Sequence, residues 1–98
     1  MTKLLDTVLE TIRARREDIE ARYGIRLLGV VGSVARGEER PDSDVDIFAE
    51  KAGRPTLFTL VDAQFALERD IGRPVDLVLR EELRPAALEL MTRHFVGA

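Results

Sequence analysis

The chain has 98 residues, enough for one small domain spanning residues 1–98 with a limited core. Apolar residues make up 45% and charged residues 34%, which excludes a disordered chain, and the absence of cysteine excludes disulfides and thiolate metal sites. A net charge of −3 argues against a domain whose main task is to grip a phosphate backbone, so direct nucleic-acid binding is not expected.

The opening MTKLLDTVLE lacks the apolar stretch of a signal peptide, and no run approaches a membrane span, so a cytoplasmic protein without membrane contact is expected. From about Lys3 to Tyr23, Leu5, Val8, Leu9, Ile12, Ile19 and Tyr23 recur at helical spacing, and Gly24 is a suitable stop. Arg13, Arg15, Arg16 and Arg22 on this helix read as a solvated face; a docking or nucleotide-facing patch is the sharper alternative. Tyr23, on the apolar stripe, reads as a core residue rather than a modification acceptor. Ile25 to Val31 is short, branched and bounded by glycines, as a buried strand is. Gly32-Ser33 ends it, and a turn-rich stretch follows with room for one helical turn at its start. Val45 to Ala49 reads as a second strand, carrying Asp44 and Asp46 at its beginning.

Thr56 can cap a helix running to about Asp70, with Leu57, Leu60, Val61, Gln64, Leu67 and Ile71 near one face. Gly72 ends it. Pro74 to Arg80 is a third strand, in which Val75, Leu77 and Leu79 oppose Asp76 and Val78. Pro85 suits the first turn of a last helix, with Leu88, Met91 and Phe95 toward the core and His94 in a surface or helix-end role. The order α-β-β-α-β-α predicts an α+β fold, a small mixed sheet packed against helices.

The chemistry lies in the acids and the glycine–serine corner. Side chains alternate along a strand, so Asp44 and Asp46 emerge on one side while Val45 and Ile47 enter the core. Strands disfavour such a pair, and a hard divalent cation is a reason for it: Mg²⁺ is held by one or two carboxylates plus substrate phosphates. Asp76 is out of character in PVDLVL. If its strand lies beside the first, three carboxylates converge, enough for two metal ions, and Asp76 can accept the proton of an attacking hydroxyl. Gly32 lets a phosphate approach the backbone, and Ser33 adds a hydroxyl and an N–H. Arg36 reaches the triphosphate or an acid, or braces the loop with Glu38 or Asp42. Arg40, Arg54 and Arg73 lie in loops and do not stand out from ordinary surface charge. Alone, Gly-Ser is usually a turn and Asp-x-Asp a solvated edge. Together at a ten-residue gap they arise by chance in very roughly one in a thousand chains of this size.

GSVARGEERPDSDVDIF resembles the signature of the polymerase-β-type nucleotidyltransferase superfamily, in its minimal nucleotidyltransferase branch. The Ala-Arg-Gly after the serine, the serine before Asp44 and the Leu-Arg-Pro entering the last helix also match. The resemblance covers nearly the whole chain and implies a polymerase-β-like fold. It implies that Gly32 and Ser33 bind the triphosphate, that Asp44 and Asp46 bind Mg²⁺, and that Asp76 completes the acid set. Stand-alone domains of this kind resemble the antitoxin of two-gene modules whose partner is a HEPN ribonuclease toxin. The implied reaction moves AMP from Mg-ATP onto a tyrosine hydroxyl of that toxin. Two alternatives stay open: an antitoxin that acts by binding and occlusion alone, and a subunit that nucleotidylates a small molecule such as an aminoglycoside.

Overall fold

The structure is a computed structural model and describes residues 3–98. Its elements run α1 (Lys3–Tyr23), β1 (Ile25–Val31), α2 (Gly32–Arg36), β2 (Val45–Lys51), α3 (Leu57–Ile71), β3 (Val75–Leu79), a 3₁₀ turn (Arg80–Glu82), α4 (Pro85–Thr92) and β4 (Val96–Gly97). The expected α-β-β-α-β-α order is contained in this; α2, the 3₁₀ turn and β4 are additional to it. The strands form one mixed sheet in the order β3-β2-β1-β4. β2 pairs antiparallel with β1 and parallel with β3, the parallel pair being joined by the α3 crossover.

One face of the sheet presents Val45, Ile47 and Ala49 of β2 with Val75, Leu77 and Leu79 of β3, and Val8, Ile12, Ile19, Ala63 and Leu67 of α1 and α3 cover it. Tyr23 packs against this core, as its place on the stripe predicts. β1 contributes both Leu27 and Val30, three positions apart, because the register shifts between Leu27 and Gly29 and the strand changes face there. The opposite face carries a smaller cluster of Val31, Phe48 and Val78, against which Leu83, Leu88 and Met91 pack. Asp46 and Asp76 alternate with the core residues of their strands and so lie on this second face.

Thr56 caps α3 reciprocally: Thr59 N–H donates to Thr56 Oγ1 at 3.2 Å, and Thr56 N–H to Thr59 Oγ1 at 2.8 Å. Leu60 and Ile71 pack as expected, but Leu57, at the overhanging first turn, is 72% exposed. Gln64 does not face the core either. Its Oε1 accepts from Leu77 N–H at 3.0 Å, and Glu68 Oε2 accepts from Val75 N–H at 2.9 Å. Side chains of α3 thus occupy donors on the outer edge of β3 that another strand would otherwise pair with. Gln64→Leu is expected to cost about 1–3 kcal/mol by stranding an amide, and to promote self-association. Thermal unfolding and sedimentation at rising concentration check both.

The C-terminal segment departs from the expected continuous helix. α4 ends at Thr92, and Phe95 lies beyond it, edge-on to Phe48 with ring centroids 5.7 Å apart. Val96 and Gly97 pair with Val30 and Gly29, extending the sheet on its β1 side. Gly29 makes this possible, since a Cβ there would collide with the Val96 carbonyl oxygen and the Phe95 ring.

The α1 arginines mostly serve the fold. Arg22 pairs with Asp18 at 2.7 Å, Arg15 lies 3.5 Å from both Asp18 and Asp70, and Arg16 Nη2 donates to the Ala98 carbonyl at 2.8 Å. No described helix is long and apolar enough to cross a membrane.

Candidate active site

β1 ends at Val31, which is the register partner of Asp46 on β2. The chain then turns at Gly32 with φ +74° and enters α2. That left-handed conformation favours glycine, and a second constraint acts at the same position: a Cβ on Gly32 would run into the Asp46 carboxylate. The glycine–serine corner and the second aspartate are therefore in direct apposition. Ser33 is half-buried at the start of α2, and its Oγ has no hydrogen-bond partner among the described residues.

Asp46 and Asp76 are register partners on the parallel strands β2 and β3. Partners in register point to the same side, and adjacent strands lie about 4.8 Å apart, so these carboxylates are neighbours. Asp44 lies just before β2 rather than on it, which corrects the sequence expectation. Val45 N–H donates to the Pro74 carbonyl at 2.9 Å, but Pro74 has no N–H to return, and the ladder stops there. Asp44 instead rides on a braced turn. Ser43 N–H donates to the Arg40 carbonyl at 3.0 Å, and Arg40 N–H donates to Ser43 Oγ at 2.8 Å.

Arg73 is the residue that sequence reasoning missed here. Its Nη1 donates to the carbonyls of Arg40 at 2.9 Å and Ser43 at 3.3 Å, tying the Asp44 turn to the start of β3. Nothing in the sequence separated it from other loop arginines, because its partners are main-chain atoms 30 and 33 positions away. Arg73→Ala is expected to loosen the turn that carries Asp44 while leaving the rest of the fold in place. Faster amide hydrogen exchange at residues 40–44 with little change in melting temperature checks this, and a general loss of protection would contradict it.

The electrostatics bind the three acids into one group. Burial pushes the half-buried Asp46 carboxyl above its ordinary range; the charge of Asp76 and then that of Asp44 push it further, and Arg36 pulls the other way. Among the described residues none of the three carboxylates has a hydrogen bond or ion pair. Glu50, the next acid along the same face of β2, is by contrast held by Arg26 at 2.9 Å and Arg80 at 3.2 Å. Arg36 does two of the things its position allows: its Nε meets Glu38 Oε1 at 2.7 Å, and its charge reaches Asp46.

Mg²⁺ fits this donor set as an ion shared with phosphates. Among the described residues no three acids, histidines or cysteines form a ready-made metal cage. A two-carboxylate site completed by substrate oxygens is the usual arrangement for this ion, and the uncompensated charge on Asp44, Asp46 and Asp76 supplies the attraction.

Two grooves flank α4. The larger, about 650 Å³, is lined by Leu28, Phe48, Leu88 and Phe95 among others and includes neither the glycine–serine corner nor an aspartate. The other, about 560 Å³, includes Gly32 and Arg36, with Met91, Arg93 and His94 across from them. His94 is exposed and lies past the end of α4, as a helix-end residue, and it borders this groove.

A solved chain assigned as a candidate minimal nucleotidyltransferase is 40% identical and superposes with a TM-score of 0.72, covering 92% of this chain and 95% of that one. The protein adenylyltransferase MntA of Thermococcus cleftensis is 33% identical over 92 residues, 94% of this chain and 93% of the relative. A toxin–antitoxin crystal structure with AMP-PNP shares the fold at 15% identity, with a TM-score of 0.66 over 98% of this chain and 72% of that one. The nucleotidyltransferase domain model matches residues 12–95, so the acids, the glycine–serine corner and the strands β1 to β3 that join them fall within it, and the chain belongs to the nucleotidyltransferase domain family.

Proposed function

We propose that this chain is an antitoxin that transfers AMP from Mg-ATP onto a tyrosine hydroxyl of a HEPN ribonuclease toxin and thereby neutralises it. The observation that carries this reading is the cluster of three unpaired aspartates against the Gly32-Ser33 corner, with Asp46 pushed toward its protonated form by burial and then by the charges of Asp76 and Asp44. The similarity to MntA favours adenylyl transfer to protein, and the shared fold of a toxin–antitoxin complex favours a toxin as the acceptor.

Gly32 and Ser33 receive the triphosphate through main-chain N–H groups and the free Ser33 hydroxyl. Asp44 and Asp46 hold Mg²⁺. When bound, the metal neutralises charge on the phosphates and on the departing pyrophosphate. The acceptor oxygen bonds to the α-phosphorus, the bond between the α-phosphorus and the bridging oxygen breaks, and pyrophosphate leaves. Asp76, beside Asp46 on the adjacent strand, takes the proton of the acceptor hydroxyl. Holding these groups in line, more than any covalent participation by the protein, supplies the rate.

An AMP group near a ribonuclease site adds bulk and negative charge where RNA must bind, as phosphorylation would. The acidic balance of this chain suits a partner built to bind RNA. The exposed Phe58 and Phe65 on α3 suit a protein partner over a small acceptor.

Incubation with ATP, Mg²⁺ and the product of the neighbouring gene, followed by intact-mass measurement and peptide mapping, tests the proposal. The partner should gain one or more AMP units on tyrosine. Full neutralisation with no mass gain from any of the four nucleoside triphosphates would instead mean occlusion.

A further inference from the structure

We propose that Arg73 is the positioning residue for Asp44: its guanidinium takes the place of a main-chain donor that Pro74 lacks, and so sets where the Asp44 carboxylate stands relative to Asp46. The inference rests on the nucleotide-transfer reading of the aspartate site and gives a role to a residue that reading does not use.

Asp46 needs no such help. It lies inside β2, with Val31 as its register partner on one side and Asp76 on the other. Asp44 lies before the strand, and if the pairing of Val45 with Val75 ran one step further its register partner would be Pro74. At that place in a parallel ladder a residue accepts from the N–H one position after its partner and donates to the carbonyl one position before it. Pro74 does the first, accepting from Val45 N–H at 2.9 Å. It has no N–H for the second, and the carbonyl so left without a ladder donor is that of Ser43. Arg73 Nη1 lies 3.3 Å from this same oxygen and 2.9 Å from the Arg40 carbonyl.

The turn that Arg73 holds is a closed unit. The Arg40 carbonyl also accepts from Ser43 N–H at 3.0 Å, and Ser43 Oγ accepts from Arg40 N–H at 2.8 Å. Anchoring this unit to the start of β3 fixes the main chain on one side of Asp44, and the Val45 ladder bond fixes it on the other. The competing role for Arg73 is electrostatic, and it has the opposite sign. A guanidinium beside a cation site repels the cation, so loss of its charge alone would tighten metal binding. Loss of the anchor would weaken it, by about tenfold on the scale of residues that orient a metal's ligands.

Binding of a non-hydrolysable ATP analogue to the full chain is measured with equimolar Mn²⁺ and, separately, with EDTA. Paramagnetic broadening of the Asp44, Asp46 and Asp76 amides locates the metal. Arg73→Ala should bind the Mn²⁺ complex about tenfold more weakly and the metal-free analogue as the wild type does. Arg73→Ala combined with Pro74→Ala returns an N–H opposite the Ser43 carbonyl, and should recover most of the loss although the charge is still missing. Arg54→Ala removes the same charge beside Gly24, at the far end of β1 from Gly32, and should change neither affinity. Arg73→Lys keeps the charge but not the planar fork and should lose about threefold. It decides the matter if the alanine variant does not fold, wild-type affinity then counting against the proposal. Unchanged or tighter binding of the Mn²⁺ complex by Arg73→Ala, an equal loss for the metal-free analogue, or a double variant as weak as the single one overturns the positioning role and leaves the aspartate site standing. If Mn²⁺ broadens none of the three amides in the wild type, the nucleotide-transfer reading fails, and this inference with it.

Discussion

Replacing Asp46 with asparagine is expected to lower AMP transfer by about three orders of magnitude and, at the same time, to raise the melting temperature of the protein without nucleotide at pH 7. The loss of activity follows from the metal that Asp46 would hold in the proposed mechanism: stabilisation of transition-state charge by such an ion is worth several kcal/mol, and each 1.36 kcal/mol is about tenfold in rate. The gain in stability follows from the fold. Burial and then the charges of Asp76 and Asp44 hold the Asp46 carboxyl above its ordinary range. In the unfolded chain it titrates near the ordinary aspartate value of about 3.9. Between the two values the folded state binds more protons, so stability falls as pH rises through that window, and the penalty persists above it. Asparagine keeps the shape and removes the charge. The advantage of the variant should shrink as pH is lowered toward about 4, where wild-type Asp46 protonates in both states. On the proposed mechanism added Mg-ATP should reverse the order, because the wild type would bind it more tightly than the variant. Calorimetry at several pH values, with and without Mg-ATP, measures all of this. A lower melting temperature for the variant at pH 7 would mean that Asp46 is not strained by its neighbours.

Gly32→Ala is expected to damage stability and transfer together, and Gly72→Ala is its control. Both glycines have positive φ, +74° and +81°, so alanine at either site pays a backbone strain of about 1–2 kcal/mol. Nothing lies within 4 Å of a Cβ on Gly72, whereas a Cβ on Gly32 meets the Asp46 carboxylate. Gly72→Ala should therefore lose stability, about 4–8 °C for each kcal/mol, and keep full transfer. Gly32→Ala should be less stable still, and its displaced Asp46 should reduce transfer about 10²-fold, the scale that a misplacement of about 1 Å produces. Equal activity in the two variants would mean that the corner and the aspartate are not functionally coupled.

How much of this was readable in advance depends on how local each determinant is. The Gly-Ser corner, its ten-residue spacing to Asp-x-Asp and the main helices follow from neighbours in the chain, and the structure places them where periodicity and turn chemistry put them. Asp76 required a guess about strand pairing; the parallel register that sets it beside Asp46 is a property of the α3 crossover and is not written in any short stretch. The exact place of Asp44 turned on Pro74, whose missing N–H ends the ladder one residue earlier than alternation implies. Met91 to Phe95 keeps a helical spacing of apolar residues, yet the helix ends at Thr92. What stops the helix is the open edge of β1 and the space above Gly29, both distant in sequence. Gln64 and Arg73 were unreadable for the same reason, since each serves main-chain groups that only tertiary structure brings near.

In the proposed mechanism Asp44 and Asp46 hold the cation opposite Gly32 and Ser33, with Asp76 beside them as proton acceptor. Anomalous diffraction from crystals grown with Mn²⁺ in place of Mg²⁺ and a non-hydrolysable ATP analogue tests it most directly. A manganese peak is expected about 2.0–2.2 Å from oxygens of Asp44 and Asp46, with the triphosphate against the Gly32 and Ser33 amides. Manganese bound away from that pair, or phosphates seated elsewhere, would contradict it.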